Sequence, residues 1–294
     1  MPRHCSTTPI SRLHRFFSAS TSPAPPSRSW SPDAAFAAAT ERTRAGTLSS
    51  EDAHKLFDEL LRQATQVDAR SLDGFLAALA HVRDSASCRD GPALAIALYN
   101  RVRREEASPG PTVFTYGILM NCCCRTGRPE LGLSLFGLLL KTPIMTNVIV
   151  ANTLLKCLCQ ANRTDEAVSV LLHRLSDLGC VPDAYSYNTV LKGLCADRRS
   201  QRALDLIQIV RKEGGGCSLG VVAYNTVIHG FFKEGEVSKA CNLFHEMMQH
   251  GIVPDVFTYN SVIDALCKAR AMDKAGLFLR QMVDNSVQPN KVKR

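Results

Sequence analysis

Three closely similar stretches in the second half of the chain decide the fold. Residues 184–195 are AYSYNTVLKGLC, residues 221–232 are VVAYNTVIHGFF, and residues 256–267 are VFTYNSVIDALC. The same pattern begins, less well kept, at Val148 and at Val113. A regular period of this length is typical of tandem-repeat proteins. The pattern predicts five units, over 113–147, 148–183, 184–220, 221–255 and 256–290.

Each unit has the pattern of two amphipathic helices. In the unit that begins at Ala184, apolar side chains recur three and four residues apart, as one face of a helix requires. The second helix has a small residue, Ala203, followed by Leu206, Ile207 and Val210. One such pair cannot bury its apolar face alone, but stacked pairs can. Proline then ends the unit, and Asp or Asn can cap the next helix; these pairs are Pro182-Asp183, Pro254-Asp255 and Pro289-Asn290.

The repeat pattern weakens towards both ends of the chain. Residues 49–112 are interpreted as degenerate N-terminal repeats, in which Ala69 to Thr112 form one expanded unit and Asp52 to Phe57 belong to the second helix of an earlier one. Residues 1–48 show no repeat, and 33–48 are expected to be a linker. Residues 291–294 begin a further unit and stop, which predicts a truncated gene product or an alternative isoform.

The first 32 residues have the composition of an organellar targeting segment. They contain four arginines and no acidic residue, and so account for half of the formal net charge of +8. Ser, Thr and Pro are abundant, and no secretory-length apolar core follows, as expected for a disordered transit peptide. Cleavage is expected after Phe17. We expect a mitochondrial location, with the chloroplast as the alternative; a terminal tail without function also remains open.

The sequence contains no recognisable catalytic or metal-binding pattern. Its twelve cysteines include no C-x-x-C pair, and Cys124, Cys159, Cys195 and Cys267 share one repeat position, which favours a role in packing. His245 and His250 are five residues apart, whereas a helical zinc-protease motif needs a spacing of four. No apolar stretch approaches the ~20 residues of a membrane span. We therefore expect neither an enzyme, nor a metal or cofactor, nor a membrane protein.

The repeat motif resembles one known family. The run Tyr-Asn-Thr-Val-Ile, followed by Gly-Leu-Cys and ending Gly-Ile-Val-Pro-Asp, is similar to plant P-type pentatricopeptide repeats, above all those of the restorer-of-fertility group. Tetratricopeptide repeats begin with a Trp, whereas the single Trp of this chain, Trp30, lies outside every unit. The resemblance covers 113–290 well and 49–112 loosely. It implies an all-α fold, a right-handed superhelical solenoid of antiparallel helix–turn–helix repeats.

An asparagine recurs at the fifth position of four units, early in the first helix. Asparagine is a mediocre helix former, and nothing in the helix pattern requires it there. Its amide offers a donor and an acceptor, which suits the polar edge of an unpaired base. A local cap or a hydrogen bond between repeats is the other explanation. The four residues are Asn152, Asn188, Asn225 and Asn260.

The resemblance implies that each repeat recognises one nucleotide of single-stranded RNA through its fifth and last residues. Asn152 with Asp183, and Asn225 with Asp255, are then uracil sites. Asn260 with Asn290 accepts a pyrimidine, and Asn188 faces Gly220, so that its preference is pyrimidine at best. Gly117 with Asn147 lacks a base-recognising side chain, and Asp73 with Thr112 fits no rule. The expected register, 5′ to 3′, is any-any-U-Y-U-Y.

The resemblance also assigns two further sets of residues. The second residue of each first helix should sandwich the bases, and late basic residues should contact phosphates. The expected partner is pyrimidine-rich organellar RNA, with processing factors as possible further partners and no DNA. A helical protein-interaction scaffold and a non-functional truncated product remain alternatives. The sandwiching residues are Ile149, Tyr185, Val222 and Phe257; the phosphate-contacting ones are Arg125, Lys233 and Lys268.

Overall fold

The computed structural model of the chain describes residues 31–63, 67–82, 90–104, 110–212 and 219–285. Within these ranges the regular structure consists of helices, without a strand. The prediction of an all-α fold is therefore confirmed. The helices are α1 (Pro32–Arg44), α2 (Ser50–Gln63), α3 (Ala69–His81), α4 (Gly91–Arg104), α5 (Val113–Arg125), α6 (Pro129–Leu139), α7 (Val148–Gln160), α8 (Thr164–Ser169, which continues as a π-helical segment over Val170–Arg174), α9 (Ala184–Ala196), α10 (Ser200–Lys212), α11 (Val221–Glu234), α12 (Val237–Gln249), α13 (Val256–Lys268) and α14 (Met272–Asp284).

The helices form two layers. The odd-numbered helices α1 to α13 stack on one another in chain order and make the first layer. Each even-numbered helix packs against its odd-numbered partner, and α2, α4, α6, α8 and α10 also pack against a helix of the following unit. The Phe244 ring of α12 contacts both helices of the last unit. One continuous core runs from Tyr116 to Met282. Because each pair contacts only its neighbours, this is the architecture of a solenoid.

A polar residue caps the start of α5, α7, α9 and α13, whereas α11 follows Gly220, which has no capping side chain. The Asp183 carboxylate accepts a hydrogen bond from the Ser186 backbone N–H at 2.7 Å, and the Ser186 hydroxyl closes a capping box. Asp255 caps α13 in the same way with Thr258. These caps satisfy N–H groups that a helix leaves unpaired in its first turn. The helices α5, α7, α9, α11 and α13 thus begin at the residues where the sequence pattern starts.

The prediction of a linker over residues 33–48 is wrong. Residues 32–44 form α1, which packs against α3 and contributes the fully buried Phe36 to the core. The Phe36 ring makes edge contacts with Phe57 and Phe75 at centroid distances of 5.4 and 5.5 Å. Helices α1 and α2 form a helical pair ahead of the unit that begins at Ala69. The transit peptide expected over 1–32 lies outside the described residues except for its last two positions.

Consecutive first helices approach closely where a glycine meets a cysteine. A Cβ added to Gly193 would lie 2.5 Å from the Cys159 sulfur, and one added to Gly230 would lie 2.7 Å from the Cys195 sulfur. Between α5 and α7, Cys157 occupies the equivalent position, and its sulfur lies 2.7 Å from that of Cys124. These cysteines therefore pack between repeats. Burial raises the pKa of the Cys159 thiol to about 12, so that it stays protonated at neutral pH.

We expect Gly193→Ala to destabilise the protein by about 1–3 kcal/mol, because the added methyl group forces α7 and α9 apart. The measurement is the urea midpoint followed by circular dichroism. Gly276→Ala is the control: its Cβ meets nothing within 4 Å, and alanine in a helix should add about 0.5–1 kcal/mol. Equal stability of the two variants would contradict this packing.

Candidate nucleic-acid interface

A row of large apolar side chains stands exposed on the open face of the first-helix layer. Each is the second residue of its helix, and their exposed fractions lie between 58% and 67%. Apolar side chains this exposed bury little surface on folding. Five of them at one repeat position indicate a surface that contacts an apolar ligand. The five are Phe114, Ile149, Tyr185, Val222 and Phe257.

The asparagines lie three residues further along the same helices, and therefore beside this apolar row. Asn152 is buried, with 8% of its surface exposed, whereas Asn188, Asn225 and Asn260 are half-buried. The Asn152 and Asn225 amides reach the N-terminus of the following first helix, where they contact Asp183 and Asp255. Asn290, the expected partner of Asn260, lies outside the described residues.

Asn152 and Asp183 are in direct contact. The Asn152 Nδ2 donates to Asp183 Oδ1 at 3.3 Å, and the Ser186 hydroxyl donates to Asn152 Oδ1 at 2.5 Å. Asp73 has the same place in α3 and accepts hydrogen bonds from Thr112 and Thr115, both at 2.6 Å. A hydrogen bond between repeats, the alternative explanation of the asparagines, is therefore present at Asn152. This hydrogen bond joins Asn152 and Asp183, the two residues expected to recognise one base.

Two of the asparagines keep an unpaired oxygen. Asn225 hydrogen-bonds the Asp255 carboxylate, but the Thr258 hydroxyl donates to Asp255 at 2.7 Å and not to Asn225. At Asn188 the following unit offers Gly220, which has no side chain. Among the residues described, Asn188 Oδ1 and Asn225 Oδ1 are accordingly buried without a hydrogen-bond partner. Such an orphaned acceptor costs about 1–3 kcal/mol, which a donor on a ligand can recover.

The hydrogen bonds around Asp183 and Asp255 favour their charged forms. Partial burial alone raises the pKa of the Asp183 carboxyl, but hydrogen bonds from Ser186 and Asn152 together lower it below its ordinary value. At Asp255 burial likewise raises the pKa, and hydrogen bonds from Thr258 and Asn225 outweigh it. Both carboxylates are therefore ionised at neutral pH and accept from the amide beside them.

These lowered pKa values predict an acid-sensitive fold. A carboxyl whose pKa is depressed by folding stabilises the folded state above its unfolded pKa, and this contribution is lost as the pH falls through the folded value. The stability of the protein should therefore decline below about pH 4. The double variant Asp183→Asn, Asp255→Asn should have a shallower decline between pH 5 and pH 3, measured by urea unfolding. Parallel curves for the variant and the parent would refute this role.

The expected phosphate-contacting residues lie in different surroundings. Arg125 donates to the backbone oxygen of Val82 at 2.9 Å, and Lys268 pairs with Asp264 at 2.6 Å. Lys233 is exposed. The pKa of His229, one turn before Lys233, is lowered by burial and then by the charges of Lys233 and Lys268. Arg125 and Lys268 therefore each commit one donor within the protein, and their remaining N–H groups are left for a phosphate.

Comparison with known proteins decides the family. The sequence profile of the PPR repeat family matches residues 146–196, 219–268 and 254–292, and a second PPR repeat profile matches residues 114–141 and 185–215. Together these matches cover more than half of the chain. The chain belongs to the pentatricopeptide repeat (PPR) family. Protein Rf1, mitochondrial, of Oryza sativa subsp. indica is 48% identical over 212 residues, which are 71% of this chain and 26% of that protein.

Solved PPR structures share the architecture. The crystal structure of PPR10 from maize superimposes with a TM-score of 0.71 at 26% identity, over 92% of this chain and 36% of that one. PPR10 in complex with an 18-nt psaJ RNA element matches with a TM-score of 0.52 at 27% identity over the same shares. The right-handed superhelical solenoid expected from the sequence is thereby confirmed. This chain spans only about a quarter of Rf1 and a third of PPR10.

The PPR repeats bring further residues to the interface that the sequence analysis missed. Phe114 completes the apolar row, and its place directly after Val113 could have revealed it. Lys156 and Lys192 lie four residues after an asparagine, one helical turn along the same face. Their spacing of four from Asn152 and Asn188 is the sequence signal that identifies them.

In the described ranges, no helix combines the length and apolar character that crossing a membrane requires. Over the same ranges, no cluster of three or more His, Cys, Asp or Glu side chains is arranged to hold a metal ion. The candidate site is the exposed apolar row with the unpaired amide oxygens beside it.

Proposed function

We propose that this PPR chain binds single-stranded RNA and recognises one base in each repeat. The observation that supports it most is the pair of buried, unpaired amide oxygens at Asn188 and Asn225, next to the exposed apolar row. Bases stack on exposed apolar and aromatic surfaces, and their polar edges need partners. Along the first helices, an apolar side chain for stacking and an amide for the polar edge of a base alternate from repeat to repeat.

The Asn–Asp pairs give a physical reason for a preference for uracil. Because Asp255 is ionised, it accepts from Nδ2 of Asn225 and so holds Oδ1 of that amide as the free acceptor. Uracil N3–H is a donor that fits this oxygen, whereas the corresponding adenine N1 and cytosine N3 are acceptors. At Asn152 the oxygen already accepts from Ser186, and its second lone pair serves the base.

The expected register follows from these pairs. Uracil binds at repeats 148–183 and 221–255, and pyrimidines bind at 184–220 and 256–290, which gives U-Y-U-Y from 5′ to 3′. Ile149, Tyr185, Val222 and Phe257 sandwich these bases, and Arg125, Lys233 and Lys268 contact phosphates. Stacking contributes ~1–3 kcal/mol per base before ordering costs, so that four or five repeats give an affinity in the micromolar range.

In the cell, we place this activity in mitochondria, with the chloroplast as the alternative. The relative Rf1 is named as mitochondrial, and residues 1–32 have the composition of a transit peptide. Binding would cover single-stranded transcript and so influence its processing, stability or translation, as in a fertility-restorer relative. A fusion of the chain to a fluorescent protein tests the location directly.

The test of RNA binding is fluorescence anisotropy with three matched probes. These are an RNA containing UCUC, its purine counterpart, and the DNA of the first sequence, each at two salt concentrations. We expect the pyrimidine RNA to bind at least tenfold more tightly than the purine RNA. A folded chain that binds all three probes alike would instead be a protein-interaction scaffold, and failure to fold would indicate a non-functional product.

A further inference from the structure

The first well-formed repeat, 113–147, borders a cavity at its glycine. Gly117 stands where the following units have asparagine, and the space beside it is a cavity of about 440 Å³ lined by α3, α5 and α7, with Tyr185 of α9 at its edge. Phe114 and Ile149 of the exposed apolar row line it. A volume of this size lies in the range of small-molecule sites and accommodates a nucleobase.

The glycine allows a close approach of the two helices. A Cβ at Gly117 would lie 3.1 Å from Cγ2 of Val150, which is closer than ordinary van der Waals contact. A side chain at the fifth position of this repeat would therefore push against Val150 and fill part of the space that the glycine leaves. As a result, a base held between Phe114 and Ile149 can enter further into the cleft than it can beside an asparagine.

One helical turn below Gly117, two polar side chains line the cavity. Lys156 Nζ donates a hydrogen bond to Asn121 Oδ1 at 2.9 Å, and both residues are half-buried. Each lies four residues after the fifth position of its helix, which corresponds to a rise of about 6 Å. The ammonium group has three donors, of which this contact uses one. The cavity thus ends in a donor-rich group with an amide next to it.

We propose that this cavity is a guanine-selective site, which rests on the proposed function and extends it to a repeat whose fifth residue has no side chain. A two-ring base spans the extra depth left by Gly117. Guanine O6 and N7 accept hydrogen bonds from Lys156, the pairing by which lysine commonly recognises guanine, and N1–H donates to Asn121 Oδ1. Adenine would place its N6 amino group, a donor, against the ammonium.

The test varies one nucleotide of the RNA probe. In an oligonucleotide of the form X-U-C-U-C with flanking residues, X lies opposite repeat 113–147. We expect X = G to bind the full chain roughly five- to tenfold more tightly than A, C or U, by fluorescence anisotropy. Inosine, which keeps O6, N7 and N1–H, should bind like guanine. Lys156→Ala should make the four bases equivalent at X.

Lys192→Ala is the matched control, because Lys192 has the same position in the unit 184–220 and is exposed. It should weaken all probes alike and keep the preference for guanine. If Lys156→Ala also weakens all four probes equally, Lys156 is only a phosphate contact and the inference is wrong. If the wild-type chain binds all four bases at X equally and keeps the U-Y-U-Y preference, the guanine inference is wrong but the proposed function stands. Loss of both preferences overturns the proposed function as well.

Discussion

Phe244→Ala should cost about 3–5 kcal/mol of folding free energy and loosen the C-terminal repeats first. The Phe244 side chain is fully buried in α12. Its ring makes edge contacts with Tyr259 at 5.2 Å and with Phe278 at 4.9 Å, and so joins unit 221–255 to both helices of the next unit. In a solenoid, a unit is stabilised only by its neighbours, so that the loss acts mainly on α13 and α14.

Urea unfolding and hydrogen exchange together measure this effect. The unfolding midpoint should fall, and amides of α13 and α14 should exchange faster than those of α7 and α9. Phe257→Ala is the control, because that ring is 67% exposed and its loss should change stability by less than about 0.5 kcal/mol. A Phe244→Ala variant as stable as the control would mean that the repeats do not stack through this ring.

The double variant Asn152→Ala, Asn225→Ala should lose the preference for uracil while it remains folded. Each alanine removes the amide that offers a hydrogen bond to the base and leaves the apolar row in place. One lost base contact corresponds to about 1–3 kcal/mol of discrimination. Two contacts of about 1.4 kcal/mol each, near the lower end of this range, reduce the preference for uracil over purine by roughly a hundredfold. General affinity from stacking should persist.

The control for this experiment must change the same helices without touching the bases. Thr189 and Thr226 fit, since each hydroxyl donates to a backbone oxygen of its own helix, at Tyr185 and Val222 respectively. Their alanine variants should keep the preference of the parent. If the Asn double variant retained the uracil preference, the amides would serve only as hydrogen bonds between repeats.

The repeat core could be predicted from the sequence because its determinants are local. The Tyr-Asn-Thr-Val-Ile pattern places apolar residues on one helical face, and Asp183 and Asp255 cap the helices that follow them. Both signals lie within a few residues of the structure they determine. The helix starts at Ala184 and Val256 follow from these caps, and the start at Val148 follows from the cap that Asn147 provides.

The first helix, α1, could not be predicted in the same way. Its sequence PDAAFAAATERTR has one large apolar side chain, Phe36, and its alanines fit a helix or a linker equally. What makes it part of the fold is the contact of Phe36 with Phe57 and Phe75, which come from α2 and α3. Such a tertiary contact has no local sequence signature.

The contact between the fifth residue of one unit and the last residue of that unit could be anticipated from the repeat spacing, but its hydrogen bonding could not. Sequence alone indicated Asn152 and Asp183 as one site, yet left open whether the amide serves a base or the next repeat. The structure places Ser186 on the Asn152 oxygen and leaves the Asn225 oxygen unpaired. The Ser186 hydroxyl donates to Asn152, whereas the equivalent Thr258 hydroxyl donates to Asp255. The repeat pattern does not specify which way this hydroxyl points.

The most direct test of base recognition by the repeats is selection from an RNA pool with six random nucleotides, followed by sequencing of the bound fraction. The account predicts enrichment of U-Y-U-Y over the last four positions, and loss of both uridines from the enriched motif with the Asn152→Ala, Asn225→Ala variant. A folded chain that enriches no sequence, or a motif that the double variant leaves unchanged, would contradict it.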